Sequence, residues 1–212
     1  MSNPRIQKYV LLPSGSGFRS LSIILTVTLI TILLAACAGE YARKRAEHYY
    51  LQGQALVNRG DTERAIKKFE KSMDLSEKTG FDAGVAHNLN ELAIIHTTRG
   101  EFETARSELD QALEIYRSLE MKPEISKTMD NIVLTYRQER RFEDAIEHYK
   151  KLIVWDEKIG NHLGMAFSLW NMALIYERYL GDYEKAHTAR NWSLEIFREP
   201  GNEKYLRQLQ ER

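Results

Sequence analysis

A repeated pattern of about forty residues is the feature of this sequence that most restricts its fold. Four alanines are spaced by 40, 40 and 41 residues, and glycine or arginine lies five residues before each of them. An aromatic residue lies three residues before each of the last three alanines. The alanines are Ala65, Ala105, Ala145 and Ala186, and the residues five positions earlier are Gly60, Gly100, Arg140 and Gly181. A fixed period of this length is typical of a solenoid built from stacked repeats.

Each copy of the pattern predicts a pair of helices joined by a turn. In the second copy, Leu89 and Leu92 fall at helical spacing, a turn follows at residues 99–101, and a second apolar stripe begins at Ala105. Only 4 Pro and 12 Gly occur among 212 residues, so few positions interrupt these helices. A turn glycine supplies the backbone freedom that ends the first helix. An alanine within each second helix lets neighbouring helix axes approach closely, so we expect Ala105 and Ala145 to be buried.

The pattern resembles the tetratricopeptide repeat in its longer form of about 40–42 residues, and the resemblance extends from Ala46 to about Phe197. It implies an all-α fold, a right-handed superhelical solenoid of about four helix pairs plus a C-terminal capping helix. Three positions depart from the pattern: Arg140 replaces a turn glycine, Thr62 an aromatic residue and Arg190 a large apolar one. The implied repeats cover about residues 46–80, 82–120, 123–160 and 163–197, and the capping helix covers residues 198–212.

The amino-terminal segment predicts a targeting signal. Residues 20–39 carry no charge, and the preceding residues 1–19 contain three basic residues and no acid. A basic stretch, an apolar centre and small residues in this order are typical of a secretory signal peptide. An uncleaved, single-pass membrane helix is the alternative, because twenty uncharged residues are long enough to span a bilayer. Basic residues on both sides, including residues 43–45, leave the orientation of such a helix open.

The small residues at the end of this segment resemble the lipobox of bacterial lipoproteins. The four residues Leu34-Ala35-Ala36-Cys37 match it completely, and Cys37 is the only cysteine in the chain. The resemblance implies that residues 1–36 are a signal peptide removed before Cys37, that Cys37 carries covalent lipid, and that residues 37–45 form a short tether. Ala38 rather than aspartate follows the cysteine, which implies the periplasmic face of the outer membrane under the sorting rule of the family. The alternative location is the inner membrane.

Composition and motifs argue against several classes of function. The 30 basic and 30 acidic residues give no net charge, which argues against nucleic-acid binding. One cysteine excludes an intramolecular disulfide, and the 6 histidines form no pair with metal-ligand spacing. The sequence contains no nucleotide-binding loop and no nucleophile motif. We therefore predict no catalytic residues, no metal, no small-molecule substrate, and no cofactor other than the covalent lipid on Cys37.

The remaining class is binding of a protein or an extended peptide segment. In tetratricopeptide domains the first helices of the repeats line a concave groove, and the resemblance carries that role to specific positions here. The predicted groove residues are Asn90, Asn131, Asn171, Trp170, Phe167, Arg137, Arg178 and Lys127.

These residue types suit a peptide ligand. An asparagine amide offers both a donor and an acceptor, so it matches a peptide unit whatever the side chain. Asn131 and Asn171 are 40 residues apart at the same repeat position; the alternative is that they only cap or solvate a helix face. Trp170 beside Asn171 suits an apolar anchor, and Arg137 an acidic side chain or carboxylate. Other tryptophans, such as Trp155 and Trp192, are expected to pack between repeats.

The preferred functional prediction is a membrane-anchored, non-enzymatic scaffold or adaptor lipoprotein in the bacterial cell envelope. Its groove would recruit partners for the assembly of an envelope, secretion or pilus complex. The alternative is an inner-membrane regulatory or assembly subunit with an uncleaved N-terminal helix. An enzyme, such as a cell-wall hydrolase, is the third alternative, and it lacks any visible cluster of convergent titratable groups.

Overall fold

The computed structural model of the protein describes residues 16–210. By their internal contacts, residues 1–42 and residues 43–212 form two units, which are described separately. Residues 1–15 of the predicted signal peptide and the last two residues of the predicted cap lie outside the described residues.

Residues 16–210 form nine α-helices and one π-helical segment, and they contain no β-strand. The helices are α1 (Ser16–Val57), α2 (Thr62–Lys78), α3 (Asp82–Thr98), α4 (Phe102–Ser118), α5 (Lys122–Gln138), α6 (Phe142–Ile159), α7 (His162–Ile175), α8 (Tyr183–Phe197) and α9 (Glu203–Gln210), with the π-helical segment at Tyr176–Leu180 between α7 and α8.

The described part of the first unit is the amino-terminal part of α1. Its large apolar side chains are exposed, among them Leu25, Ile32 and Leu34, and Cys37 is exposed as well. Among the described residues, the stretch Leu25–Val57 is the one helix that is long and apolar enough to cross a membrane. The length and composition of this stretch fit a signal sequence near the N-terminus equally well.

The second unit confirms the predicted all-α solenoid in the residues that the structure describes. Within each later repeat the two helices pack together, α3 on α4, α5 on α6 and α7 on α8, and each pair packs on the next. The repeated alanines are buried in this packing: Ala65, Ala105 and Ala145 are fully buried, and Ala186 is 2% exposed. The prediction that Ala105 and Ala145 are buried is therefore confirmed.

The turns within the repeats require a left-handed backbone. Gly60, Gly100 and Gly181 have φ values of 77°, 80° and 65°. Arg140 occupies the equivalent turn with φ 63°, and Glu120 in a turn between repeats has φ 54°. This conformation costs a residue with a Cβ roughly 1–2 kcal/mol of conformational free energy, whereas glycine adopts it freely. The departure of Arg140 from the sequence pattern therefore changes the side chain but not the turn.

The fourth repeat is one residue longer, and the extra residue lies in the π-helical segment. Tyr176–Leu180 is π-helical, and Gly181 ends the segment in the left-handed conformation. A π turn holds one residue more than an α turn, so it accommodates an insertion without breaking the helix. The aromatic ring of Tyr179 in this segment stacks on Phe142 of α6, with ring centroids 4.0 Å apart.

The end of the solenoid is partly covered by α9, in the region where a capping helix is predicted. Tyr205 of α9 meets the ring of Phe167 edge to face at 5.7 Å, and Phe167 in turn meets Phe197 at 5.0 Å. Of the two tryptophans expected to pack between repeats, Trp155 is half-buried against the core of the second and third repeats. Trp192 is instead 59% exposed, so that expectation is wrong for Trp192.

Replacing Arg140 by glycine is expected to stabilise the solenoid. The change removes the left-handed strain and should raise the free energy of unfolding by up to about 1 kcal/mol. The matched control is Gly100→Arg, because an added Cβ at Gly100 meets no atom within 4 Å and only the backbone conformation is penalised. This control should lower the free energy of unfolding by a similar amount. Urea unfolding followed by circular dichroism measures both, and an Arg140→Gly protein less stable than the parent would contradict the argument.

Candidate functional site

A concave pocket of about 730 Å³ lies at the junction of the third and fourth repeats. It is bounded by α5, by the end of α6 with the turn that follows, and by α7. Its lining residues are Pro123, Ser126, Lys127, Asp130, Leu152, Asp156, Ile159, Gly160, Asn161, Gly164, Phe167, Ser168 and Asn171. The lining combines amides, hydroxyls, carboxylates and apolar groups, so it can hold both the backbone and the side chains of a peptide.

Three of the eight predicted groove residues line this pocket together: Lys127, Phe167 and Asn171. Lys127 is exposed, and the other two are half-buried. Arg137 instead lines a smaller concavity of about 250 Å³, together with Phe142 and other residues. The pocket between α5, α6 and α7 therefore brings together three of the eight predicted groove residues and leaves the other five outside it.

Two other predicted residues lie away from the pocket. Trp170 is half-buried, and the guanidinium carbon of Arg190 lies 5.9 Å from the centre of its ring. Arg190 is also paired with Glu177. Arg178 is exposed in the π-helical segment. The structure does not bring these side chains to the pocket lining.

Asn90 and Asn131 bond to each other across the second and third repeats. The Nδ2 atom of Asn131 donates to Oδ1 of Asn90 at 3.1 Å, and Nδ2 of Asn90 donates to Oγ1 of Thr128 at 3.0 Å. Asn90 is only 6% exposed. These amides therefore join α3 to α5, and a peptide that used the amide of Asn131 would have to compete with Asn90.

Asn171 and Arg137 are connected through a buried tyrosine of α6. Nη1 of Arg137 donates to the hydroxyl of Tyr149 at 3.2 Å, and the side chain of Asn171 lies near enough to this hydroxyl to favour its ionised form. Burial raises the pKa of Tyr149 to about 12, while Arg137 and Asn171 act in the opposite direction. Tyr149 therefore stays neutral at physiological pH, and its hydroxyl lies beside the side chains of two predicted groove residues, Arg137 and Asn171.

The polar residue that sequence reasoning missed is Asp156, at the end of α6. It is 1% exposed, and its Oδ1 accepts hydrogen bonds from Ser126 and, at 3.0 Å, from Nδ2 of Asn161. Burial raises the pKa of the Asp156 carboxyl, while the hydrogen bonds from Ser126 and Asn161 oppose the shift. The sequence signal that points to this site is the glycine at 164. A Cβ there would lie 2.6 Å from Oδ2 of Asp156, so a larger residue at 164 would clash with the carboxylate.

A second carboxylate, that of Asp130, lines the same pocket. Its surface is open to solvent, yet the concave wall around it removes enough water to raise the pKa of its carboxyl. Arg137 opposes this shift, and the negative charge of Asp156 adds to it. The pocket therefore holds two carboxylates, and the loss of hydration raises the pKa of both.

The described residues contain no group of three His, Cys, Asp or Glu side chains placed to hold a metal ion. The histidine with a close carboxylate is His96, whose Nδ1 lies 2.7 Å from Oε2 of Glu108 outside the pocket. What the pocket offers chemically is hydrogen bonding, charge and apolar contact, which are the means of binding.

The stacked helix pairs and the repeated buried alanines together define a class of protein. The chain belongs to the tetratricopeptide repeat family, whose pattern it matches over residues 44–118 and 124–199.

Each relative matches only part of this chain, and the match includes only part of the relative. Photosystem I assembly protein Ycf3 of Prochlorococcus marinus subsp. pastoris is 29% identical over 128 residues, which is 60% of this chain and 68% of that protein. The structure of aspartyl phosphate phosphatase F from Bacillus subtilis superposes with a TM-score of 0.72 at 16% identity, covering 79% of this chain and 44% of that one. A Rap protein complexed with Competence and Sporulation Factor gives 0.58 at 18% identity, covering 73% and 43%. The two structures show the fold alone, and this chain spans less than half of each.

Replacing Asp156 by asparagine is expected to stabilise the protein at neutral pH. Because the pKa of the folded Asp156 carboxyl is raised, the folded state binds its proton more tightly than the unfolded state does. Stability is therefore lost as pH rises from about 3.9, the unfolded value, through the folded pKa. Asparagine keeps an oxygen for Ser126 and Asn161 but carries no charge.

Urea unfolding measured between pH 3 and pH 8 tests this expectation. Fluorescence is a suitable signal because all 3 tryptophans, at 155, 170 and 192, lie in the solenoid. The variant should be more stable than the parent at neutral pH, and the difference should disappear at the acidic end. A variant less stable at neutral pH would mean that the Asp156 carboxylate stabilises the empty pocket.

Proposed function

We propose that the protein is a non-enzymatic adaptor that binds an extended segment of a partner protein in the groove between its repeats. The observation that carries the proposal is the 730 Å³ pocket, where Lys127, Phe167 and Asn171 converge. The half-buried amide of Asn171 suits a peptide unit, and the ring of Phe167 suits an apolar side chain.

The relatives are compatible with this role. Ycf3 is by its name an assembly protein, and the Rap structure is a complex with Competence and Sporulation Factor. Aspartyl phosphate phosphatase F has an enzyme's name, but at 16% identity its likeness supports a shared fold and not a shared activity. An adaptor that brings partners together is the role that agrees with the tetratricopeptide family and with the chemistry of the pocket.

The proposal includes a lipid anchor at Cys37. The four residues 34–37 match the bacterial lipobox, and the side chain of Cys37 is exposed. A diacylglyceryl group and an N-acyl chain on this residue would hold the protein at a membrane without a spanning segment. With Ala38 after the cysteine, the proposed location is the periplasmic face of the outer membrane, where the adaptor would serve the assembly of an envelope, secretion or pilus complex.

A second candidate is an inner-membrane subunit with an uncleaved, single-pass anchor. The observation in its favour is that α1 continues from Ser16 to Val57 without a break at Cys37. The stretch Leu25–Val57 has the length and composition of a membrane span. In this candidate the solenoid would regulate or assemble inner-membrane partners.

Replacing Lys127 by a photo-crosslinking phenylalanine analogue tests groove binding directly. Lys127 is exposed and lines the pocket, so light should join the protein to its partner in intact cell envelopes. The control places the same analogue at Glu114, which is exposed on a second helix, α4. Adducts should form at position 127 and not at 114. Equal yields at the two positions would move the contact to the outer surface of the solenoid.

The lipid anchor has its own test. An alkyne analogue of palmitate should label the wild-type protein in cells and should not label Cys37→Ser, because Cys37 is the only thiol in the chain. Globomycin, which blocks lipoprotein signal peptidase, should cause the unprocessed form to accumulate. A wild-type protein that takes no label and ignores globomycin would reject the lipoprotein and favour the uncleaved helix.

A further inference from the structure

A buried carboxylate without a cationic partner lies in the pocket between the third and fourth repeats. Asp156 is 1% exposed, and no lysine, arginine or histidine forms an ion pair with it among the described residues. Its Oδ1 atom accepts from Ser126 and Asn161, both neutral donors. Carboxylates buried to this degree are normally paired with a cation, because the cost of dehydration is otherwise uncompensated.

The Oδ2 atom of Asp156 is the oxygen that these hydrogen bonds leave free, and Asp156 is one of the residues that line the pocket. Oδ2 accepts no hydrogen bond from the described residues, and it lies 2.6 Å from the point where a Cβ on residue 164 would stand. Glycine at 164 therefore lets α7 pack directly against the Asp156 carboxylate, which lines the pocket although it is only 1% exposed. Gly160 and Gly164 both line the pocket, so little side-chain volume separates this oxygen from the open groove.

Packing of the repeats does not require a charge at this position. The equivalent residue is Tyr116 one repeat earlier and Ser76 two repeats earlier, and both are 1% exposed like Asp156. At the junction of the second and third repeats, the ring of Tyr116 fills the space, and its hydroxyl bonds Nδ1 of His87 at 2.8 Å. Neutral residues thus satisfy the same site elsewhere in the solenoid, so the carboxylate needs a reason other than folding.

The rest of the pocket lining suits a long side chain with a positive end. Leu152, Ile159 and Phe167 provide apolar walls along which an aliphatic stem can pack. The carboxylate of Asp130 lies at the open side of the pocket, so two negative groups flank one cavity. An ammonium or guanidinium group would donate to the free oxygen of Asp156 in a charge-assisted hydrogen bond.

We infer that this pocket is the anchor site for a lysine or arginine side chain of the bound segment, with Asp156 as the residue that receives its charge. The inference rests on the proposed function, since the side chain belongs to a peptide held in the groove. It adds a specificity that an asparagine groove lacks, because amides accept a peptide backbone without regard to sequence.

Lys127 is the competing cation to consider, because it lines the same pocket. It is exposed, and among the described residues it makes no ion pair with Asp130 or Asp156. Arg137, the other nearby cation, donates to the hydroxyl of Tyr149. The two carboxylates therefore remain available to a ligand.

Affinity selection from synthetic peptides tests the inference on the full-length protein in detergent micelles. The first library contains random peptides that are acetylated at the N-terminus and amidated at the C-terminus, so side chains carry the only charges. The second library replaces lysine by norleucine and arginine by citrulline. Captured peptides are identified by mass spectrometry. The wild-type protein should enrich lysine or arginine by about ten- to a hundredfold, the factor expected for a charge-assisted hydrogen bond.

Three variants locate the effect. Asp156→Asn should abolish the enrichment of lysine and arginine but should still capture peptides from both libraries, which a merely unfolded variant would not do. Asp110→Asn makes the same change at an exposed position on α4 and should keep the enrichment. Lys127→Gln should keep or increase it. Enrichment that appears only in Lys127→Gln would show that Lys127 occupies the site itself and would overturn the inference.

The outcomes distinguish failure of the inference about Asp156 from failure of the proposed groove binding. A wild-type protein that captures peptides without favouring lysine or arginine contradicts the inference and leaves groove binding intact. A wild-type protein that captures nothing from either library contradicts the proposed function, and the inference falls with it. Enrichment that survives in Asp156→Asn would assign the preference to another part of the groove and reject the role of Asp156.

Discussion

The close approach of helices at small residues is the constraint on which the whole solenoid depends. Ala65, Ala105 and Ala145 are fully buried, so no side chain larger than a methyl group separates the helices there. In the first repeat, a Cβ on Gly53 would lie 2.5 Å from the ring of Phe69. An added carbon at such a contact forces the helices apart and costs roughly 1–3 kcal/mol. These contacts fix the spacing of the helix pairs, and α3 and α5, the first helices of the second and third repeats, consequently pack side by side.

Features encoded by neighbouring residues were predictable from the sequence, whereas features that join distant residues were not. The helix pairs and the buried alanines follow from spacing within one repeat, and the turn at Arg140 follows from its equivalence to glycines elsewhere. The hydrogen bond between Asn90 and Asn131 joins residues 41 positions apart, and no local sequence pattern predicts it. Asp156 was missed because it lies on a second helix, where the periodicity predicts only apolar packing.

The π-helical segment explains how an irregular repeat keeps the register of the others. The extra residue is absorbed before Gly181, so α8 begins at Tyr183, three residues before Ala186, as α4 and α6 begin three residues before their own alanines. Asp182 then accepts from the backbone N–H of Lys185 at the start of α8. The insertion thus changes the end of one helix and leaves the next helix starting at the same position relative to its buried alanine.

The hydrogen bonds between first helices are unevenly distributed along the solenoid, and this has a mechanical consequence. Asn90, Asn131 and Thr128 tie α3 to α5, and Oγ1 of Thr97 lies 3.2 Å from Oγ1 of Thr135 further along the same pair. Between α5 and α7 the described residues form no such bond, and the pocket opens there instead. Tyr50 and Gln54 of α1 likewise donate to Glu91 of α3, so the junction between α5 and α7 is the one between successive first helices without a direct side-chain hydrogen bond among the described residues. A side chain bound in the pocket between α5 and α7 would therefore set the spacing of these two helices. Through that spacing it would set the curvature of the solenoid.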